Sequence, residues 1–148
     1  MSSSILSRFA PAIKTQIRTM SSLKVINSSA APAALGPYSQ AIAANGLVFC
    51  SGSIPIDPKS GEIIGSEVKA QTRQVFANMT EVLKASNASL SSVVKTTVFL
   101  KNMNDFVAMN EVYGELMGDA RPARSTVEVA RLPKDVLVEI ECVAVVNN

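Results

Sequence analysis

Two carboxylates interrupt an apolar run near the end of this 148-residue chain: residues 136–146 read VLVEIECVAVV, with Glu139 and Glu141 two positions apart. Side chains alternate between the faces of a strand, so both carboxylates share one face. The preceding run, ARSTVEV over 123–129, puts Arg124, Thr126 and Glu128 together by the same rule. If the Leu132–Asp135 turn joins the two runs as a hairpin, opposed residues have numbers summing to about 266. Glu139 then lies near Thr126 and Glu128, and Arg124 within a residue or two of Glu141. Two readings fit this arrangement. One is a cross-strand salt bridge on a solvated sheet face, worth well under ~1 kcal/mol. The other is a polar site in which Arg124 grips a ligand carboxylate fork to fork while a neighbouring Glu handles water.

Absences narrow the chemistry. The chain has no His and only two cysteines, Cys50 and Cys142, far apart in sequence. Ser-His-Asp and Cys-His nucleophiles, His-ligated zinc and CxxC sites are therefore excluded. Proton transfer at neutral pH falls to carboxylates, Tyr, Lys, Arg, hydroxyls and backbone groups. With 47% hydrophobic and 18% charged residues the composition is globular. No apolar run approaches the ~18–20 residues a membrane-spanning helix needs, so no membrane partner is expected.

The elements that must position these residues can be read from period and punctuation. Residues 23–27 form a short strand candidate, and 41–44 and 47–51 flank Asn45-Gly46, a strong hairpin signal. Val68, Thr72, Val75, Phe76, Met79, Val82 and Leu83 recur at helical spacing, which predicts a helix over 66–86. Residues 93–100 are β-branched and apolar, as in a strand covered on both faces. Phe106, Met109, Val112, Tyr113, Leu116 and Met117 repeat the helical period up to Gly118. Strands over 125–130 and 136–146 complete the order ββ(β)αβαββ, an α+β domain with two helices on one face of a mostly antiparallel sheet.

Residues 1–22 carry Arg8, Lys14 and Arg18, are Ser-rich and hold no acid, while Ile5, Phe9, Ile13 and Ile17 form one helical stripe. That is the make-up of a mitochondrial transit peptide, which leaves 23–148 as the folded domain and the mitochondrial matrix as its expected location. A start at Met20 would give a leaderless cytosolic form. Without residues 1–19, 14 − 3 = 11 basic residues face 12 acidic ones, so the net charge of +2 becomes about −1. Beyond the leader there is no basic run and no aromatic-basic interleaving, so a nucleic-acid partner is not expected.

The chain resembles the RidA (YjgF) family of reactive-intermediate imine deaminases. The likeness is carried by Gly36-Pro37-Tyr38-Ser39-Gln40-Ala41, Cys50-Ser51-Gly52, Pro58-Lys59-Ser60-Gly61-Glu62 and Val94-Lys95-Thr96-Thr97-Val98-Phe99-Leu100. It continues through Asn110-Glu111-Val112-Tyr113, Pro122-Ala123-Arg124-Ser125, Arg131-Leu132-Pro133-Lys134-Asp135 and Val138-Glu139-Ile140-Glu141. With its transit-like leader, the chain resembles the mitochondrial matrix branch of that family. The resemblance implies a chorismate-mutase-like fold assembled as a homotrimer, with sites in the clefts between subunits. It implies hydrolysis of 2-iminobutanoate and 2-iminopropanoate to 2-oxo acids and ammonia, without metal or organic cofactor, protecting PLP enzymes and isoleucine synthesis.

By the same resemblance, Arg124 clamps the substrate carboxylate and Glu139 orients or activates the attacking water. Tyr38, Ser51, Gly52 and Asn110 line the pocket, and Thr126 adds a backbone contact. Two positions depart from the pattern: Thr126 stands where many relatives carry Cys, and Arg121 where an aromatic residue is frequent. Some members of the family have been described as ribonucleases or translation inhibitors. That activity, and a non-catalytic ligand-binding or chaperone-like trimer, are the competing readings.

Overall fold

The computed structural model describes residues 23–147, and the expected leader lies outside them. The elements run β1 (Lys24–Ile26), β2 (Ala41–Ala44), β3 (Leu47–Ser53), α1 (Val68–Ala85), β4 (Val93–Leu100), α2 (Phe106–Met117), β5 (Ala123–Glu128) and β6 (Val138–Val145). Local chemistry accounts for the junctions. Asn45 and Gly46 adopt φ of 53° and 78°, the left-handed pair that a two-residue hairpin turn requires between β2 and β3. Asn87, at φ 58°, ends α1 in a left-handed cap, with the Ala88 N–H bonded to the Leu83 carbonyl at 2.9 Å.

Strand order in the single six-stranded sheet is β1-β2-β3-β6-β4-β5. Among the described residues only β4 and β5 run parallel, joined through α2. Both helices pack on one face. Val75, Phe76, Met79 and Leu83 of α1 and Met109, Tyr113 and Met117 of α2 meet Val48, Val98, Leu100, Val138 and Ile140 in one buried cluster. Cys50 and Cys142, distant in sequence, are register partners inside this core, and both are free thiols.

The expected hairpin between the last two strands does not form. The Leu132–Asp135 segment is a 3-10 turn in which Lys134 and Asp135 both adopt positive φ, and it carries the chain across the sheet instead of folding it back. The alternation of Val138, Ile140, Cys142 and Ala144, all at most 3% exposed, sends β6 to the centre, between β3 and β4. The α2 crossover leaves β5 as the parallel edge.

This topology reassigns every cross-strand neighbour. Glu139 pairs with Phe99 and Glu141 with Thr97, whereas Arg124 pairs with Thr96 and Thr126 with Val98. Register partners share a face, so Arg124 and Thr126 point to the helix side and both carboxylates to the other. Neither the cross-strand salt bridge nor a site shared across a hairpin survives. The second face is left uncovered by the described residues. Val25, Phe49, Val127 and Val145 are 41–63% exposed there, and β4, expected to be covered on both sides, is fully buried only toward the helices.

Candidate active site

The sheet presents two separate groups of polar side chains, one on each face. The first is built around the segment that carries Tyr38. Gln40 is buried, and its carboxamide accepts the Ser28 N–H at 2.6 Å and donates to the carbonyls of Ser28 and Pro32 at 3.1 and 2.7 Å. Those bonds fold the preceding loop onto the sheet. Ser51 completes the attachment, since its hydroxyl donates to the Ser39 carbonyl at 2.7 Å and its N–H to that of Gln40 at 3.0 Å. The Ser51 side chain thus holds the Tyr38 strap in place. Tyr38 itself is 55% exposed.

Next to Ser51 the register of β3 slips between Cys50 and Ser53, and Gly52 lies in that irregularity. Glu139 lies directly over Gly52. A Cβ built there would overlap Glu139 Oε1 and stand 2.8 Å from Cδ, so only glycine leaves room for the carboxylate. Burial, and then the charge of Glu141 on the same face, hold the Glu139 carboxyl above its ordinary pKa. Tyr38, Ser51, Gly52, Lys134, Glu139 and Glu141 are among the residues lining a cavity of about 910 Å³.

The second group lies on the helix side at the β5 edge. Arg124, Asn110, Tyr113, Arg121 and Pro122 line a hollow of about 460 Å³. The Arg124 guanidinium lies 4.5 Å over the Tyr113 ring and 5.8 Å from that of Phe106. Two residues along the same face, the Thr126 hydroxyl is buried and has no hydrogen-bond partner among the described residues. Arg121 donates to the carbonyls of Gly118 and Ala120, the second at 2.9 Å, and so caps the C-terminal end of α2. Arg121 therefore has a structural use at the rim of the hollow.

Of the residues expected to form a site, the single chain gathers Tyr38, Ser51, Gly52 and Glu139 in one place and Asn110 and Arg124 in another, with Thr126 on the face of Arg124. It does not join the two. Among the described residues no group of three or more His, Cys, Asp or Glu side chains could hold a metal ion, and no helix is long and apolar enough to cross a membrane. Two contributors were not legible as such. Tyr113 falls on the apolar period of α2 and reads as core, and Gln40 stands out only by being a long polar side chain where β2 becomes buried.

Comparison with known proteins places this geometry. The model of the family described as Endoribonuclease L-PSP matches residues 28–146. The chain belongs to the endoribonuclease L-PSP family. Within it, a RutC family protein of Pyrococcus horikoshii is 56% identical over 121 residues, 82% of this chain and 96% of that protein. Reactive Intermediate Deaminase A, chloroplastic, of Arabidopsis thaliana is 51% identical over 121 residues, 82% of this chain and 65% of that protein. The L-PSP fold is also that of E. coli TdcF, solved with bound serine, at a TM-score of 0.80 and 42% identity, covering 84% of this chain and 99% of that one. The expected RidA-type family and its α+β architecture are thereby established, and the family includes reactive-intermediate deaminases.

Proposed function

We propose that the chain hydrolyses 2-imino acids, 2-iminobutanoate and 2-iminopropanoate foremost, to 2-oxo acids and ammonia, at sites shared between copies in a homotrimer. The observation that carries this reading is the division of labour across the sheet. One face offers an Arg124 guanidinium that, among the described residues, meets only aromatic rings, and the other a Glu139 carboxyl held above its ordinary pKa. The uncovered apolar face beside Glu139 is the kind of surface that a second copy buries. A ring of like copies brings the Arg124 face of one chain to the Glu139 face of the next.

In such a cleft Arg124 takes the substrate carboxylate in a two-bond fork, with the Thr126 hydroxyl free to add a third contact. The protonated imine then faces the neighbouring copy. Glu139, ionised, removes a proton from water as its oxygen bonds to C2 and the C=N pair moves to nitrogen. The proton passes to that nitrogen, the C–N bond breaks, and the hydroxyl oxygen becomes the new carbonyl as its proton leaves. Imine and water are consumed, and 2-oxo acid and ammonia released. Tyr38, on its strap, closes the Glu139 side of the cleft.

The family's ribonuclease label has less support in these residues. There is no His in the chain, and Lys69, Arg73, Lys84 and Lys101 are ion-paired with Glu111, Glu115, Glu81 and Asp135. An assay that generates 2-iminobutanoate with an amino-acid oxidase separates the readings. The chain is expected to accelerate 2-oxobutanoate release over uncatalysed hydrolysis and to leave RNA intact. An unchanged rate would sink the proposal.

Gly52→Ala tests the floor of the site. The added methyl must displace the Glu139 carboxylate, and an ångström-scale displacement of a catalytic group costs on the order of 10²-fold in rate. The variant is expected to keep its circular dichroism spectrum and lose activity by about that factor. Wild-type turnover in Gly52→Ala would show that the position of Glu139 over Gly52 does not matter.

A further inference from the structure

Arg124 is held in place without the use of a single donor. Its guanidinium carbon lies 4.5 Å above the Tyr113 ring, and none of its N–H groups bonds to any described residue. A ring face attracts a cation through its quadrupole and takes no proton from it, so all five N–H donors stay available to a ligand. A carboxylate partner in the same position would have neutralised the fork it was meant to orient.

The ring is itself fixed by two contacts. The Tyr113 hydroxyl is hydrogen-bonded to Thr96 Oγ1 at 2.8 Å, and its ring meets Phe76 edge-on, with centroids 5.4 Å apart at 82°. Tyr113 and Thr96 are both buried. Thr96 is also the register partner of Arg124, so the residue that anchors the ring lies beside the backbone position from which the guanidinium rises.

We propose that Tyr113 is a positioning residue for carboxylate recognition: its anchored ring holds the Arg124 guanidinium by its π-face, with the complete donor fork free for the 2-oxo or 2-imino acid. The inference rests on reading Arg124 as the carboxylate clamp. It assigns a function to a residue that otherwise reads as core.

Ring electronics can be changed without changing shape, which separates positioning from packing. Tyr113→Phe is made together with Thr96→Val, so that no buried hydroxyl is left unpartnered. On that background the introduced phenylalanine is exchanged for its mono-, di- and trifluorinated analogues, and 2-oxobutanoate affinity is measured by calorimetry beside Arg124→Gln. The double variant with an unfluorinated ring sets the reference affinity, which is expected to fall stepwise from there to about tenfold weaker with three fluorines. A flat series, with Arg124→Gln abolishing binding, overturns the role of Tyr113 and leaves the clamp standing. Undiminished binding in Arg124→Gln overturns the clamp and this inference with it.

Discussion

Two inactive variants are expected to restore activity to one another. Chains bearing Arg124→Ala and chains bearing Glu139→Gln, co-expressed in equal amounts under different tags, should hydrolyse 2-iminobutanoate at about a quarter of the wild-type rate, because one of the four combinations meeting at a heterologous contact retains both groups. Alone, Arg124→Ala should fall by about 10²–10³-fold, the usual penalty for losing one partner of a desolvated charged pair. It should still fold, since Arg124 is half-buried on the edge strand, its backbone pairing in the sheet is kept, and its side chain makes no hydrogen bond or ion pair with the described residues. Rates of hydrolysis and the composition of the mixed assemblies, read from the two tags, decide the matter. Mixed assemblies without recovered activity would place the site within one chain and refute the shared cleft. Normal turnover in Arg124→Ala alone would refute the clamp.

The same split explains what the sequence could and could not disclose. The Asn45-Gly46 turn and the helical periods ending near Ala85 and Met117 depend on neighbours a few residues away, and each emerges within two residues of where it was expected. Arg124 and Glu139 were legible by type, because a guanidinium and a carboxylate inside β-patterned runs need a reason. Their mutual placement was not legible. Period two says which residues of one strand share a face, but the relation between strands depends on partners, and the partners of β6 come from far along the chain: Cys50 of β3 and Thr96 of β4 both meet Cys142. Assuming that consecutive strands pair put Arg124 next to Glu141. The actual order puts them on opposite faces and turns one imagined site into two halves. Tyr113 illustrates the other limit: a period identifies a buried face, and whether a ring on that face also carries a cation depends on which strand ends up beside it.

Glu139→Gln should separate binding from turnover, and pH should show why the native residue is a carboxylate. Loss of a general base removes about 10²–10⁴-fold from the rate. Affinity for 2-oxobutanoate should stay within about threefold, because the clamp belongs to the other half-site. In the wild-type protein, burial and Glu141 raise the pKa of Glu139, and the ionised form is the active one. Activity should therefore fail on acidification at a higher pH than an ordinary carboxylate would dictate, and Glu141→Gln, which removes the repulsion, should move that acid limb to lower pH. The stability effect has the opposite sense. A carboxyl whose folded-state pKa is raised binds its proton more tightly when folded than when unfolded, so stability falls as pH rises from the unfolded pKa through the folded one. Glu139→Gln carries no such penalty. At pH 7 it should melt at or above the wild-type temperature, with the gap closing as the pH drops below the ordinary carboxylate range. A Glu139→Gln variant that melts lower than wild type at pH 7 would mean that Glu139 stabilises the fold and is not maintained there, at a cost in stability, for its reactivity, and an acid limb unmoved by Glu141→Gln would mean that the limb does not report a Glu139 carboxyl repelled by Glu141.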